Sequence, residues 1–319
     1  MQRRTAVAVA VLTALALAAP AADAADELKI IAPANPGGGW DQTARALQAA
    51  MQTAGLVPTV TVENVGGAGG TVGLAQFVTK EAGNPNALLV NGLVMVGAIR
   101  TNQSPVTLDQ VTPIARLTGE YEVVVVPAAS EITSLQGLID KLKADPGAVS
   151  WGGGSAGGTD HILVGLIAQQ AGVDPSKVNY VPFSGGGEAL AAILGGHVTA
   201  GVSGLGEWAG QIQAGELRAL AISAPARLDG VDIPTLVEQS VPVELANWRA
   251  VVAAPGIDDA ARAKLVALVT ATVESDSWKA TLAEKNWMNL FLAGDAFTSF
   301  LAEEDKKVTE TLKGIGLVP

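Results

Sequence analysis

The sequence predicts an α/β protein built as two lobes. Short β-rich runs alternate along the chain with stretches of helical periodicity, and glycine-rich turns separate them. Strands that alternate with helices of this length indicate largely parallel sheets. The 319 residues exceed the roughly 150 residues that one domain commonly holds. We therefore expect a cleft between two lobes, each a mixed, mostly parallel sheet flanked by helices.

Residues 1–24 are expected to be an export signal. Arg3 and Arg4 precede an uncharged apolar stretch over residues 6–19, and the small residues Ala22 and Ala24 follow. This order is typical of a secretory signal peptide that is cleaved near Ala24. The alternative of an N-terminal membrane anchor is disfavoured because a spanning helix needs about 20 apolar residues.

The mature chain is predicted to begin with a strand, after which helices and strands alternate. The first helix is predicted from Ala44, Leu47 and Met51 at helical spacing, with Gly55 as a C-terminal stop. The predicted strands cover residues 28–32, 59–65, 87–90, 122–126, 178–181, 198–202, 217–222 and 249–253. The predicted helices cover residues 43–54, 161–170, 188–194, 259–273 and 296–312.

Two similar extended segments, 122–127 and 248–255, flank a block of about 120 residues, a plausible domain size. If both cross between the lobes, residues 25–123 and 249–319 form lobe 1 and residues 124–248 form lobe 2. The hinge would then lie at residues 122–126 and 248–252. Two ordinary buried strands would explain the same pattern equally well.

Composition excludes several classes of protein. The chain has no cysteine and only two histidines, His161 and His197. Disulfides, thiolate metal sites, cysteine nucleophiles and three-histidine metal centres are thereby excluded. The net charge of −11 argues against a nucleic-acid partner. We expect no metal and no cofactor.

Three glycine-rich loops each lie between a predicted strand and a predicted helix: loop 1 at residues 33–41, loop 2 at 63–73 and loop 3 at 151–161. Residues 180–188, loop 4, repeat the arrangement. Glycines let backbone N–H groups approach a ligand closely, and a helix N-terminus adds partial positive charge. The loops therefore favour an anionic ligand. Trp40 could stack on that ligand or close the lobe interface.

Loop 3 also fits two catalytic or cofactor motifs. Its sequence matches both G-x-G-x-x-G and G-x-S-x-G, the second with Ser155 as nucleophile. A secreted serine hydrolase is disfavoured because His161 lies within the supporting helix and His197 follows a short turn. The simpler interpretation is an anion cradle of backbone N–H groups, with the Ser155 and Thr159 hydroxyls as further donors. His161 could donate to a carboxylate or brace the loop.

Together these motifs resemble the substrate-binding proteins of tripartite tricarboxylate transporters, the Bug family. The resemblance covers essentially the whole mature chain. It rests on residues 36–45, 63–73, 154–161 and 180–185 with 194–196, and residues 39–41 and 117–121 are most similar to the tricarboxylate-type branch.

The resemblance implies a two-lobed, type II-like periplasmic-binding-protein fold that closes over a small di- or tricarboxylate such as citrate. It implies a periplasmic, non-enzymatic receptor that works with a large and a small membrane subunit, and we expect a monomer. An orphan receptor that presents its ligand to a sensor is the alternative. The candidate ligand-binding residues are Gly38, Gly39, Trp40, Ala68, Tyr121, Ser155, Ala156, Gly157, Gly158, Thr159, His161, Phe183, Ser184, Gly185 and Ser203.

Overall fold

A computed structural model describes residues 27–319, so the expected signal peptide at residues 1–24 lies outside the described part. These residues form ten strands and ten α-helices. The strands are β1 (Glu27–Ala32), β2 (Thr59–Asn64), β3 (Ala87–Gly92), β4 (Thr112–Pro127), β5 (Ser150–Gly153), β6 (Asn179–Pro182), β7 (Ala200–Gly204), β8 (Leu217–Ile222), β9 (Ala246–Ala253) and β10 (Met288–Ala293).

The helices lie between and after the strands. They are α1 (Gly39–Thr53), α2 (Thr71–Lys80), α3 (Leu93–Thr101), α4 (Leu135–Ala144), α5 (Thr159–Gln170), α6 (Gly186–Leu194), α7 (Leu205–Gln213), α8 (Asp259–Glu274), α9 (Asp276–Glu284) and α10 (Gly294–Gly314). None of these helices is both long enough and apolar enough to cross a membrane.

The long strand β4 joins the two halves of the sheet. The strand order is β2-β1-β3-β9-β4-β7-β5-β6, and β8 and β10 also pair with β4. The first half of β4 pairs with β9 and β10, and its second half pairs with β7 and β8. Both β4 and β9 therefore lie where the halves meet.

The two-lobed α/β class is confirmed, but the sheets are less parallel than expected. Parallel pairs join β1 to β2 and β3, and β5 to β6 and β7. All pairs made by β4 and β9 are antiparallel. β4 and β9 thus form an antiparallel centre between the parallel strands of the two halves.

Separate apolar cores stabilise the two halves. One cluster packs α1, α8 and α10 around β1, β3 and β9, and every residue of β3 is buried, as expected for a strand covered on both faces. This is the first cluster. The valine run of β4 packs into two others: Val124 and Val126 lie in the second cluster, and Val123 and Val125 lie in the third. Successive side chains of a strand point to opposite faces, so an unbroken valine run is suited to a sheet covered by helices on both sides.

All predicted strands and helices exist, but several elements were missed. β4 begins at Thr112, ten residues before the predicted segment. Its first part was missed because Arg116 and Glu120 interrupt the apolar pattern while remaining in the strand. β10 and the helices α3, α4, α7 and α9 were not predicted, and β5 and α2 were expected beside loops 3 and 2 only without bounds. α3 follows β3 without a polar turn and is mostly buried, so it lacks an amphipathic pattern.

Residues along β4, and residues near the start of β9, pack into different core clusters. Leu117 of β4 packs in the first cluster and Val123 in the third. Leu245, just before β9, packs against the first and the second cluster, whereas Trp248 belongs to the first. The lobe boundaries at 123/124 and 248/249 and the hinge in these strands stay predictions.

Replacing Leu88 by alanine should strongly destabilise lobe 1. Leu88 is fully buried in β3, and its truncation leaves a cavity between two covered faces. We expect a loss of about 2 to 5 kcal/mol in the free energy of unfolding, measured by urea denaturation. Leu194→Ala, at a side chain that is 44% exposed, is the control and should change stability by less than about 0.5 kcal/mol. Equal losses in the two variants would contradict the packing described.

Candidate functional site

A cavity of about 380 Å³ lies between the lobes, and the glycine loops form its walls. Of the candidate binding residues, those that line it are Gly38, Gly39, Trp40, Ala68, Ser155, Ala156, Gly158, Thr159, Phe183, Ser184, Gly185 and Ser203. We call this cavity the cleft. Residues from loops 1 and 2 face residues from loops 3 and 4 across it, so distant parts of the chain meet there.

Five helices begin at the cleft with a glycine that has no capping side chain. Their N-cap residues all line the cavity and are Gly38 (α1), Gly70 (α2), Gly158 (α5), Gly185 (α6) and Gly204 (α7). By contrast, Ser134, Asp258 and Ser275 cap α4, α8 and α9 with their side chains. A helix N-terminus leaves backbone N–H groups without intrahelical partners and favours an anion. The cleft therefore gathers neutral hydrogen-bond donors.

Loop 1 is held in place by Asp41. Its carboxylate accepts hydrogen bonds from the Gly37 N–H at 2.8 Å and from Asn64 Nδ2 at 2.9 Å, and it pairs with Arg45. Because these partners occupy Asp41, it fixes the loop and the first turn of α1. Trp40 is buried in the lobe 1 core and also lines the cleft.

Loop 2 carries a strained residue beside the ligand space. Ala68 has φ +48°, a left-handed conformation that favours glycine. Its carbonyl oxygen accepts hydrogen bonds from Thr71 Oγ1 and Asn102 Nδ2, both at 2.9 Å. These bonds hold the turn in a conformation that local preference disfavours, and such strain is often found at ligand sites.

The backbone of loop 3 is held by three side chains, two of its own and one from loop 4. Asp160 accepts a hydrogen bond from the Gly154 N–H, and Tyr180 donates one to the Gly154 carbonyl at 2.8 Å. His161 Nδ1 accepts the Gly157 N–H at 3.1 Å, and its ring stacks on Tyr180 with centroids 4.0 Å apart. Burial lowers the pKa of His161 to about 4, so the imidazole is neutral at physiological pH. These contacts support the bracing role of His161.

Three candidate residues do not line the cleft. His161 and Gly157 are hydrogen-bonded to each other within loop 3. Gly157 has the left-handed φ of +73° and lies against Thr101. Tyr121 lies in β4 opposite Ala246 and packs against the third core cluster. Their roles as ligand contacts stay predictions that this arrangement does not favour.

The floor of the cleft carries charged residues that were not predicted from the sequence. Arg249 of β9 is only 2% exposed, and its guanidinium pairs with Glu120 of β4 and lies 3.6 Å from Glu207 of α7. Burial, followed by the charge of Glu120, raises the pKa of Glu207 to about 8, and Arg249 opposes this shift. Charged residues inside the apolar β4 and β9 were the signal that could have revealed this cluster.

Side chains also connect the lobes beside the cleft. Asn35 Nδ2 of loop 1 donates to Glu188 Oε1 of α6 at 3.1 Å. Within the predicted lobe 2, Thr159 Oγ1 donates to Asn247 Oδ1 of β9 at 3.3 Å on the floor of the cleft. Glu188 and Asn247 line the cleft but were not among the candidates. Within residues 27–319 there is no group of three histidine or acidic residues suited to hold a metal ion.

The match to a known family decides the class of protein. The model of the tripartite tricarboxylate transporter family receptor matches residues 43–317. The chain belongs to this family. It is accordingly a solute-binding receptor and not an enzyme, so the alternative of a serine hydrolase using Ser155 is rejected. The geometry agrees, because Ser155 makes no hydrogen bond to either histidine in the described part of the chain.

Individual relatives of the receptor agree with this assignment. It is 28% identical to protein BugT of Bordetella pertussis over 91% of this chain and 89% of the relative. It has the fold of MatC from Rhodopseudomonas palustris, solved with bound malate (TM-score 0.79, 22% identity, 90% of this chain and 98% of that chain). A second R. palustris protein, solved with adipate, is similar with TM-score 0.83, 22% identity, and coverage of 92% and 98%.

A side chain at position 39 should disturb the floor of the cleft. A Cβ on Gly39 would collide with the Arg249 guanidinium and with Glu207 Oε1. Because Arg249 is buried and cannot move into solvent, we expect Gly39→Ala to lower the free energy of unfolding by about 1 to 3 kcal/mol. The control is Gly38→Ala, whose Cβ would meet only Asn35 O at 3.6 Å. A smaller loss for Gly39→Ala than for the control, measured by chemical denaturation, would contradict the close approach.

His161 should make stability depend on pH in the acidic range. Its pKa falls from 6.5 in the unfolded chain to about 4 in the folded protein, so only the unfolded chain takes up this proton between those values. Stability therefore falls as the pH is lowered from about 6.5 to about 4, by up to about 1.4 kcal/mol per pH unit from this group. Unfolding of wild type and His161→Gln by urea at several pH values measures the difference. A difference that does not change with pH would show that the imidazole is not held neutral.

Proposed function

We propose that this receptor captures a small di- or tricarboxylate in the cleft and delivers it to a tripartite tricarboxylate transporter. The observation that carries the proposal is the convergence of five uncapped, glycine-started helix N-termini on one cavity. Those of α1, α2, α5 and α6 supply donors on both sides of the cleft, as a ligand with a carboxylate at each end requires, whereas Glu120 Oε2 accepts the Gly206 N–H of α7. The malate and adipate bound to the two similar R. palustris proteins support this class, and citrate is a further candidate.

Hydrogen bonds from neutral donors are sufficient for this task. Each charge-assisted hydrogen bond to a carboxylate contributes about 1.5 to 3 kcal/mol. Four or five such bonds, less the costs of association, reach about −8 kcal/mol, which corresponds to micromolar affinity. Arg249 is occupied by Glu120, so shape and donor geometry would set selectivity.

Capture would involve movement of the lobes about β4 and β9. β4 pairs with strands of both halves of the sheet, and β9 begins beside it at Ala246, opposite Tyr121. Hydrogen bonds such as Asn35 to Glu188 would form as the lobes close. Export to the periplasm with cleavage near Ala24, a monomeric state and contact with a large and a small membrane subunit complete the proposal. Presentation of the ligand to a sensor is the alternative outcome after capture.

Binding of an organic-acid panel to the mature protein tests this proposal. Isothermal titration calorimetry with malate, adipate, succinate and citrate should give saturable binding for at least one acid, with an affinity near micromolar. The monoamide of the best ligand should bind at least about tenfold more weakly, since one charge-assisted set of bonds is lost. Absence of binding by every acid to the folded protein would contradict the proposed ligand class.

A matched pair of glycine variants tests whether the ligand binds in the cleft. Gly185 lines the cavity with an extended backbone, and a Cβ there meets no atom within 4 Å. Gly187, two residues further, is also unobstructed but does not line the cavity. Gly185→Leu should therefore fold normally and weaken binding at least about tenfold, whereas Gly187→Leu should leave affinity within about twofold. Equal affinities of the two variants, measured by calorimetry, would place the ligand elsewhere.

A further inference from the structure

The carboxyl group of Glu207 lies on the cleft floor where both lobes meet. A Cβ on Gly39 of loop 1 would collide with Glu207 Oε1, and one on Gly186 of loop 4 would collide with Oε2 and with Ser203 Oγ. All four residues line the cleft. The side chain of Glu207 is 12% exposed, and its Oε2 is buried without a hydrogen-bond partner among residues 27–319. The side chain therefore reaches the cleft through its exposed part, while the enclosed Oε2 has no donor.

One guanidinium cannot neutralise the acids around it. Arg249 of β9 contacts Glu120 directly and lies 3.6 Å from Glu207 Oε1. Asp160 of α5 and Glu122 of β4 lie close enough for their charges to interact with this group. Glu188 of α6 also lines the cleft, and it accepts hydrogen bonds from Asn35 and from the Ser184 N–H.

A carboxylate on the ligand would add another negative charge beside Glu207. An ionised Glu207 would repel it, and its buried Oε2 would remain an acceptor without a donor, which is costly. A protonated Glu207 removes the repulsion, and its carboxyl O–H becomes a hydrogen-bond donor. A carboxylic acid in an apolar or acid-rich site can be kept neutral near pH 7 in this way.

From this geometry, and resting on the proposed function, we propose that Glu207 is a specificity-determining residue that binds the ligand as a neutral carboxylic acid. Its carboxyl O–H donates a hydrogen bond to a ligand carboxylate in the cleft, so the liganded receptor holds one proton on this side chain. Arg249 keeps Oε1 oriented toward the floor and Oε2 toward Gly186 and Ser203.

The pH dependence of binding follows from this arrangement. The ligand binds the protonated form better, so ligand binding takes up a proton wherever the free receptor has lost it. Burial and Glu120 raise the pKa of Glu207 to about 8, so affinity should be nearly constant between about pH 6 and 7. Above about pH 8 the dissociation constant should rise by up to about tenfold per pH unit.

Calorimetry with malate and adipate as probes tests this inference. Wild type, Glu207→Gln and Glu207→Ala are titrated from about pH 6 to about pH 9.5. Glu207→Gln keeps a donor but cannot titrate, so its dissociation constant should not rise above pH 8. Glu207→Ala should bind at least about tenfold more weakly than wild type at neutral pH. Glu216→Gln, at an exposed acid just after α7, is the control and should keep the wild-type pH profile.

Proton uptake by the wild type provides a readout that needs no variant. Titrations near pH 8.5 in buffers of different ionisation enthalpy should show uptake of about half a proton or more per ligand bound. Wild-type affinity that is constant or rises above pH 8, or a pH profile retained in Glu207→Gln, would overturn the inference while leaving dicarboxylate capture intact. Failure of every dicarboxylate to bind at any pH would overturn the proposed function as well.

Discussion

The site is organised around the buried Arg249. Its guanidinium joins β9 to Glu120 of β4 and lies beside Glu207 of α7, at the point where the two lobes are connected. A buried ion pair with one partner removed costs several kcal/mol, so this cation is committed to the protein's own carboxylates. The cleft above it must attract a charged ligand without a free cationic side chain from its lining, and the uncapped N-termini of α1, α2, α5 and α6 meet that requirement.

Glycine serves two separate purposes in this design. At Gly38, Gly158 and Gly185 it leaves helix N–H groups accessible to a ligand, because no side chain caps them. At Gly39 and Gly186 it permits close approach to buried polar side chains, where a Cβ would collide with Arg249 or Glu207. The many glycines of an acidic, apolar chain thus produce a polar cleft with few charged groups.

The local part of the site could be read from the sequence, and the long-range part could not. A glycine-rich turn between a strand and a helix fixes a helix N-terminus within a few residues, so most loop residues predicted to bind the ligand line the cleft. The ion cluster instead joins Glu120, Glu207 and Arg249 from distant segments, and their meeting depends on strand pairing. Likewise, the stacking of His161 on Tyr180 depends on the pairing of β5 with β6, which only the tertiary structure shows. The antiparallel centre of the sheet escaped prediction because strand direction is not encoded in hydrophobic periodicity.

The central claim is that backbone and neutral side-chain donors hold the ligand while Arg249 stays with Glu120. A crystal structure of the mature protein with a bound dicarboxylate tests it most directly. We expect the ligand carboxylates within about 3.2 Å of backbone N–H groups in the first turns of α1, α5 or α6, with the Arg249–Glu120 pair intact. A structure in which the Arg249 guanidinium has left Glu120 to pair with the ligand would contradict it.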